Sequence, residues 1–152
     1  MGTANAEEQQ RYVNIFNDLN EDWEAIVKAR HTGKEADLIR KVMSKRGMTL
    51  DLCCGTGRHS ILLGKKGWRI VGLDLSRNLL TIAKRNMKEA GVDFPLVRGD
   101  MRSFPFRNHV FNGAICMFTS FGYLPSEDED KRSLIEVWRT LQNNGKFLLD
   151  VA

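Results

Sequence analysis

The chain is poor in cysteine, with three in 152 residues; Cys53 and Cys54 are adjacent and Cys116 stands far off. Such a set offers no disulfide framework and fits a reducing compartment. It offers no metal site either, because neighbours at a strand end point to opposite faces and no CxxC pair exists to complete a tetrahedron. Also missing is any apolar run near the roughly 20 residues that cross a bilayer. The start "MGTANAEEQQ" lacks the basic-then-apolar layout of a secretory signal. No membrane association, no metal and a cytoplasmic location are therefore expected. Strong charge of one sign is lacking as well: the net charge is +4, and Lys and Arg are dispersed among acids. "KKGWR" and "KRNMK" read as solvated helix faces and ends rather than as a nucleic-acid patch.

What is present, 42% hydrophobic and 28% charged residues, suits one globular domain with a single core. Tyr12, Ile15, Phe16, Leu19, Trp23, Ile26 and Val27 fall at helical spacing in one or two N-terminal helices. "KEADLIRKVMSKRG" follows as a helix with Leu38, Ile39, Val42 and Met43 on its apolar face and Gly47 as its left-handed stop. Strands then alternate with helices: "MTLDLC", a helix from Gly57 to Lys66, "WRIVGLD", "SRNLLTIAKRNMKEAG", "FPLVRGD", "VFNGAICMF", "SEDEDKRSLIEVWRTLQNNG" and "KFLLDVA". Ser76 and Gly91 bracket one helix. Ser126 with Glu129 forms a capping box for another, whose stripe is Leu134, Val137, Trp138 and Leu141. Nearly continuous apolar strands separated by helices indicate an α/β, doubly wound, Rossmann-like parallel sheet with helices on both faces. The sequence stops at Ala152 while still strand-like. Sheet edges are normally protected, so a dimer partner or a missing segment is expected to cover the fifth strand.

The chemistry concentrates in "DLCCGTGRHS", the first strand-to-helix turn, where open α/β sheets bind ligands. Glycine at 55 and 57 permits positive φ and lets a ligand lie against the main chain. Read as G-x-G-x-x-G, the loop has Ser60 where a dinucleotide fold needs its third glycine. Asp74, at the end of the next strand, can accept ribose hydroxyls, which serves NAD and S-adenosylmethionine equally. Asp100 in "VRGDM" can accept the exocyclic amine of adenine, with Met101 beside the ring. Asp51 can meet an ammonium group, and acids at this turn would repel a pyrophosphate.

Taken together, "LDLCCGTGRHS", "VGLDLS", "VRGDMRSFPF", "MFTSFGYL" and "LQNNGKFLLDVA" resemble the class I S-adenosylmethionine-dependent methyltransferases, in particular a small-molecule branch with F-x-S-F-G-Y after the fourth strand. The resemblance covers residues 35–152 and implies strand order 3-2-1-4-5. It leaves residues 1–34 as a helical extension covering cofactor or substrate. It further implies that Asp51, Cys53, Gly55 and Gly57 surround the methionine portion of S-adenosylmethionine, with Cys53 in place of a glycine. Asp74 would hold the ribose, Leu75 flank the adenine, Asp100 and Met101 read its edge, and main-chain oxygen at Met117 or Phe118 receive the amino group. Tyr12, Trp23 and Arg30 are the candidates for closing over the cofactor. Family members continue past the fifth strand with a helix and two more strands, which this sequence does not contain. Methyl transfer needs alignment more than a protein nucleophile. No catalytic residue is therefore assigned; Tyr123 is the one candidate, and His59 is expected to hydrogen-bond locally. The competing readings are an NAD(P)-dependent oxidoreductase and a non-catalytic nucleoside-cofactor-binding module.

Overall fold

Apolar strands buried on both faces need helices on both sides, and the chain supplies them in alternation. The computed structural model describes residues 6–19, 23, 25–26, 31–118 and 121–151. Its elements are α1 (Ala6–Asn17), α2 (Thr32–Val42), β1 (Met48–Leu52), α3 (Arg58–Gly64), β2 (Arg69–Asp74), α4 (Arg77–Ala90), β3 (Leu96–Arg98), β4 (Phe111–Cys116), α5 (Glu127–Thr140) and β5 (Leu141–Leu149). The five strands form one parallel sheet in the order β3-β2-β1-β4-β5. The expected doubly wound α/β architecture and its strand order are both observed.

Alternation along the strands divides the core between the two faces. Leu50, Leu52, Val71, Leu73, Ala114 and Cys116 face one side with Tyr12 of α1 and Val137 of α5. Ile70, Ile115 and Met117 face the other with Ile39 and Met43 from the α2 segment and Leu63 of α3. A five-residue strand in the centre of such a sheet has no solvated face, so β1 tolerates polar side chains only where each finds a partner. Thr49 and Asp51 are its two buried polar residues.

Helix α4 starts and stops where expected: Ser76 Oγ accepts from the Leu79 N–H, and Gly91 takes φ 68° after the last turn. The α2 segment differs. Its helix ends at Val42, and Gly47 instead lies against Asn112, whose Oδ1 accepts from the Met48 N–H at 3.0 Å. Its buried residues are Ala36, Ile39 and Met43, whereas Leu38 and Val42 are exposed.

α5 also departs from the expected helix through Gly145. His109 N–H donates to Arg139 C=O at 3.1 Å and Val110 N–H to Thr140 C=O at 2.8 Å, so the chain entering β4 takes the final carbonyls. From Leu141 the backbone is extended, and the β4–β5 register jumps from Phe111↔Leu141 to Gly113↔Lys146. The rotation of α5 is fixed by polar anchors. Glu136 accepts from the Phe104 N–H at 2.7 Å, and Arg139 donates to Phe106 C=O at 2.8 Å. The packed face is thereby Glu129, Ser133, Val137 and Thr140. Of the expected stripe Val137 is buried and Leu141 half-buried, while Leu134 is exposed and Trp138 is 75% exposed. The capping box is half formed: Ser126 Oγ accepts from the Glu129 N–H, while the Glu129 carboxylate is engaged by Arg102.

These placements predict opposite outcomes for two aromatic truncations. Phe111, fully buried, packs edge-on against Phe106 with centroids 5.0 Å apart. Phe111→Ala should cost about 3–5 kcal/mol, whereas Trp138→Ala should change stability by less than about 0.5 kcal/mol. Urea denaturation of the two variants checks both.

Candidate active site

The loop between β1 and α3 turns through three left-handed residues, Cys53 (φ 57°), Gly55 (φ 54°) and Gly57 (φ 78°). Only glycine adopts such angles without steric penalty, so Cys53 holds a conformation disfavoured for a residue with a Cβ. Main-chain bonds hold the loop down: Cys54 N–H donates to Leu73 C=O at 3.0 Å, and Gly57 N–H to Cys54 C=O at 2.9 Å. Asp74 completes the arrangement from the tip of β2. Its Oδ2 accepts from the Gly55 N–H and its Oδ1 from the Ser76 N–H, each at 2.8 Å. Burial raises the Asp74 pKa above the usual carboxylate value, and the same main-chain donors oppose that rise.

The two glycines face different surroundings. A Cβ on Gly55 would meet nothing nearer than Leu79 Cδ1 at 4.0 Å, and Gly55 lines a pocket at the strand tips. A Cβ on Gly57 would lie 3.4 Å from the Ala83 Cβ, so this glycine serves the packing of α4 and does not line the pocket.

Below the loop, Asp51 is buried and accepts a hydrogen bond from Ser60 Oγ. Burial pushes its pKa up to about 7; the Ser60 hydroxyl and the Arg58 charge resist the rise, and Asp74 adds to it. Ser60, standing where a third glycine would be sought, thus has a definite partner.

The pocket lies at the strand tips and is partly open to solvent. Of the sequence candidates, Asp51, Cys53, Gly55, Asp74, Leu75, Met117, Phe118, Tyr12 and Trp23 line it. Arg30 lies outside the described residues. Asp100 and Met101 do not line the pocket: Arg102 occupies both oxygens of Asp100, with Nε at 2.9 Å from Oδ1 and Nη2 at 2.6 Å from Oδ2. Burial favours the neutral Asp100 carboxyl, but the Arg102 bonds outweigh it and hold its pKa below the usual value. Met101 is buried beneath Tyr12, whose hydroxyl points to Met101 Sδ at 3.8 Å while its ring faces the Arg102 guanidinium at 5.1 Å. Tyr123 is 60% exposed and meets Phe16 edge-on, outside the pocket lining.

Sequence reasoning did not find the cluster that follows the glycine loop. Glu35 of α2 accepts from Arg58 Nη1 and lies 2.8 Å from His59 Nε2. Burial lowers the His59 pKa to about 4, helped by Arg58 and opposed by Glu35, so the ring is neutral at pH 7. The local bond expected of His59 is present. The available signal was the "RH" pair directly after the glycines; its acidic partner is 23 residues away from Arg58.

Two carboxylates beside bare main chain suit hydroxyl donors and a cationic group and disfavour a pyrophosphate. A family model described as a methyltransferase domain matches residues 49–145, which include this entire loop and both carboxylates. The chain belongs to the methyltransferase domain family. Among similar proteins is the glycine/sarcosine N-methyltransferase of Parasynechococcus marenigrum (strain WH8102), 32% identical over 151 residues, covering 93% of this chain and 51% of the relative. Another is the dTDP-3-amino-3,4,6-trideoxy-alpha-D-glucopyranose N,N-dimethyltransferase of Streptomyces venezuelae, 36% identical over 94 residues, covering 62% of this chain and 38% of the relative. A solved S-adenosylmethionine-bound amino pentose methyltransferase from Micromonospora echinaspora superposes with a TM-score of 0.70 at 25% identity, covering 86% of this chain and 56% of that one. The methyltransferase domain described here thus spans about half the length of these relatives.

The buried Asp51 generates a pH prediction. Its folded pKa near 7 exceeds the ordinary aspartate value of 3.8, so its contribution to stability is fully present below about pH 4 and is lost as pH rises through about 7. Asp51→Asn lacks this loss and should gain on the wild type by about 2–4 kcal/mol between pH 4 and pH 8. Chemical denaturation at the two pH values measures the gain; a difference independent of pH would mean that Asp51 is ionised throughout.

Proposed function

We propose that this chain is the cofactor-binding portion of an S-adenosylmethionine-dependent methyltransferase acting on a small-molecule acceptor. One observation carries the reading: the Asp51 and Asp74 carboxylates line a pocket whose wall at Gly55 is bare main chain. The N–H donors of Gly55 and Ser76 leave lone pairs on Asp74, and these take the ribose hydroxyls. Leu75 flanks the adenine, while Cys53 and Gly55 frame the methionine portion. Asp51 and a main-chain oxygen at Met117 or Phe118 receive the ammonium group, and Gly57 acts indirectly by shaping the loop. For Asp100 and Met101 to read the adenine edge, Arg102 must share its hold on Asp100 and Tyr12 must give way. Residues 1–34 form the cover over a core of residues 35–152; Tyr12, Phe16, Leu19 and Trp23, which all line the pocket, support that division.

When bound, S-adenosylmethionine supplies an electrophilic methyl group for in-line displacement. The chain's own residues hold the donor and exclude water from its amino-acid end. The acceptor is an amine in this reading, supported by the N-methyltransferases among the relatives; an amine already free of its proton needs no general base. Tyr123 stands on the acceptor side, where it meets Phe16. In this reading a further segment or a second copy pairs with β5, one of the two edge strands of the sheet among the described residues. The protein works in the cytoplasm, in keeping with three free thiols. No described helix is long and apolar enough to cross a membrane.

S-adenosylmethionine or S-adenosylhomocysteine should raise the melting temperature, and NAD or NADP should not. At 100 times the dissociation constant the gain is about 2.7 kcal/mol. Asp74→Ala should abolish the response. Stabilisation by NAD alone would favour the oxidoreductase, and an undiminished shift in the variant would remove the ribose role of Asp74.

A further inference from the structure

Arg58 follows the glycine loop, and its side chain is only 15% exposed. Nη1 is used locally, donating to Glu35 and, at 2.9 Å, to Thr32 Oγ1. The guanidinium lies over the Phe118 ring at 5.5 Å from its centroid, and Trp23 packs on the same ring at 6.0 Å. Nη2 is different: it is shut off from solvent and has no hydrogen-bond partner among the described residues. A buried donor left unmade is destabilising, and a charged one more so. Arg58 and Phe118 both line the pocket.

The rest of the pocket indicates what this donor awaits. Its other titratable side chains among the described residues include Asp51 and Asp74, whose oxygens accept hydrogen bonds from cationic and hydroxyl groups, while His59 is held neutral. Arg58 is therefore the only fixed positive charge among the described lining residues. A nucleoside cofactor ending in an amino acid carries ammonium and carboxylate on one carbon. The groups offered to the ammonium are Asp51 and main-chain oxygen near Phe118, and Arg58 stacks on Phe118 itself. A guanidinium fixed by an ion pair and an aromatic face is well prepared for a planar carboxylate, because little side-chain freedom is left to lose.

We propose that Arg58 Nη2 binds the carboxylate of the amino-acid portion of the S-adenosyl cofactor, with Glu35 and Phe118 holding the guanidinium in position. This assignment rests on the cofactor reading above. It differs from a purely structural role, in which Arg58 would only tie α2 to the loop through Glu35.

Calorimetric titration with S-adenosylhomocysteine and with its decarboxylated analogue separates the two roles. The wild type should bind the analogue about 10- to 100-fold more weakly, as for loss of a charge-assisted hydrogen bond. Arg58→Met should bind S-adenosylhomocysteine as weakly as the wild type binds the analogue, with affinity for the analogue itself unchanged. Arg58→Lys, which retains the charge and an ion pair to Glu35, should show intermediate discrimination and provides the test if the Met variant does not fold. If the wild type binds both ligands equally, or if substitution weakens both by the same factor, the carboxylate role is overturned while the cofactor reading stands. If the wild type binds neither, both fall.

Discussion

The hydrogen bond from the Gly55 N–H to Asp74 Oδ2, at 2.8 Å, is the constraint on which the site depends. It joins the loop after β1 to the tip of β2 and thereby fixes where the main chain of that loop lies beside the pocket. The same carboxylate accepts from Ser76, the N-cap of α4, so one buried group sets the loop, the strand end and the helix entry together. Burying a carboxylate is costly unless its oxygens are satisfied. Main-chain N–H groups provide that satisfaction without bringing a neutralising cation, so the remaining lone pairs of Asp74 stay available to whatever occupies the pocket.

A second set of bonds fixes the start of α3. Glu35 reaches from α2 to Arg58 and His59, so the N-terminal helical region and the glycine loop share one ionic cluster. A third set pairs charges with one another: Arg102 joins Asp100 to Glu129, linking the segment after β3 to α5. The distribution of charge in the pocket follows from these pairings. Of the three acids at successive strand tips, two remain on the pocket wall and the third is neutralised by a neighbour two residues away.

Periodicity and end signals made most of the fold legible. Ser76 and Gly91 bound α4 because capping is local chemistry that needs no tertiary partner. The strand order came from the resemblance, and the sheet has that order. Legibility failed where distant groups compete for an element. The end of α5 is set by His109 and Val110, and its rotation by Glu136 and Arg139 binding the segment before β4. A pattern confined to the helix cannot report those partners, which is why Trp138 reads as core and is exposed. Of the face expected on the α2 segment Ile39 and Met43 are buried, while Leu38 and Val42 are exposed for a similar reason: the core takes one narrow stripe, with Ala36, of a helix whose apolar residues are spread more widely.

The sequence alone determined the alternation of strands and helices, the positions of the glycines and the acids at the strand ends. These follow from backbone sterics and side-chain period, and both act over a few residues. Only the tertiary structure decided that Gly55 faces the pocket while Gly57 faces α4, that Arg102 takes Asp100, and that Arg58 meets Glu35. Each of those outcomes joins groups brought together by the winding of the sheet. Their energies depend on burial and distance, which exist only once the chain has folded.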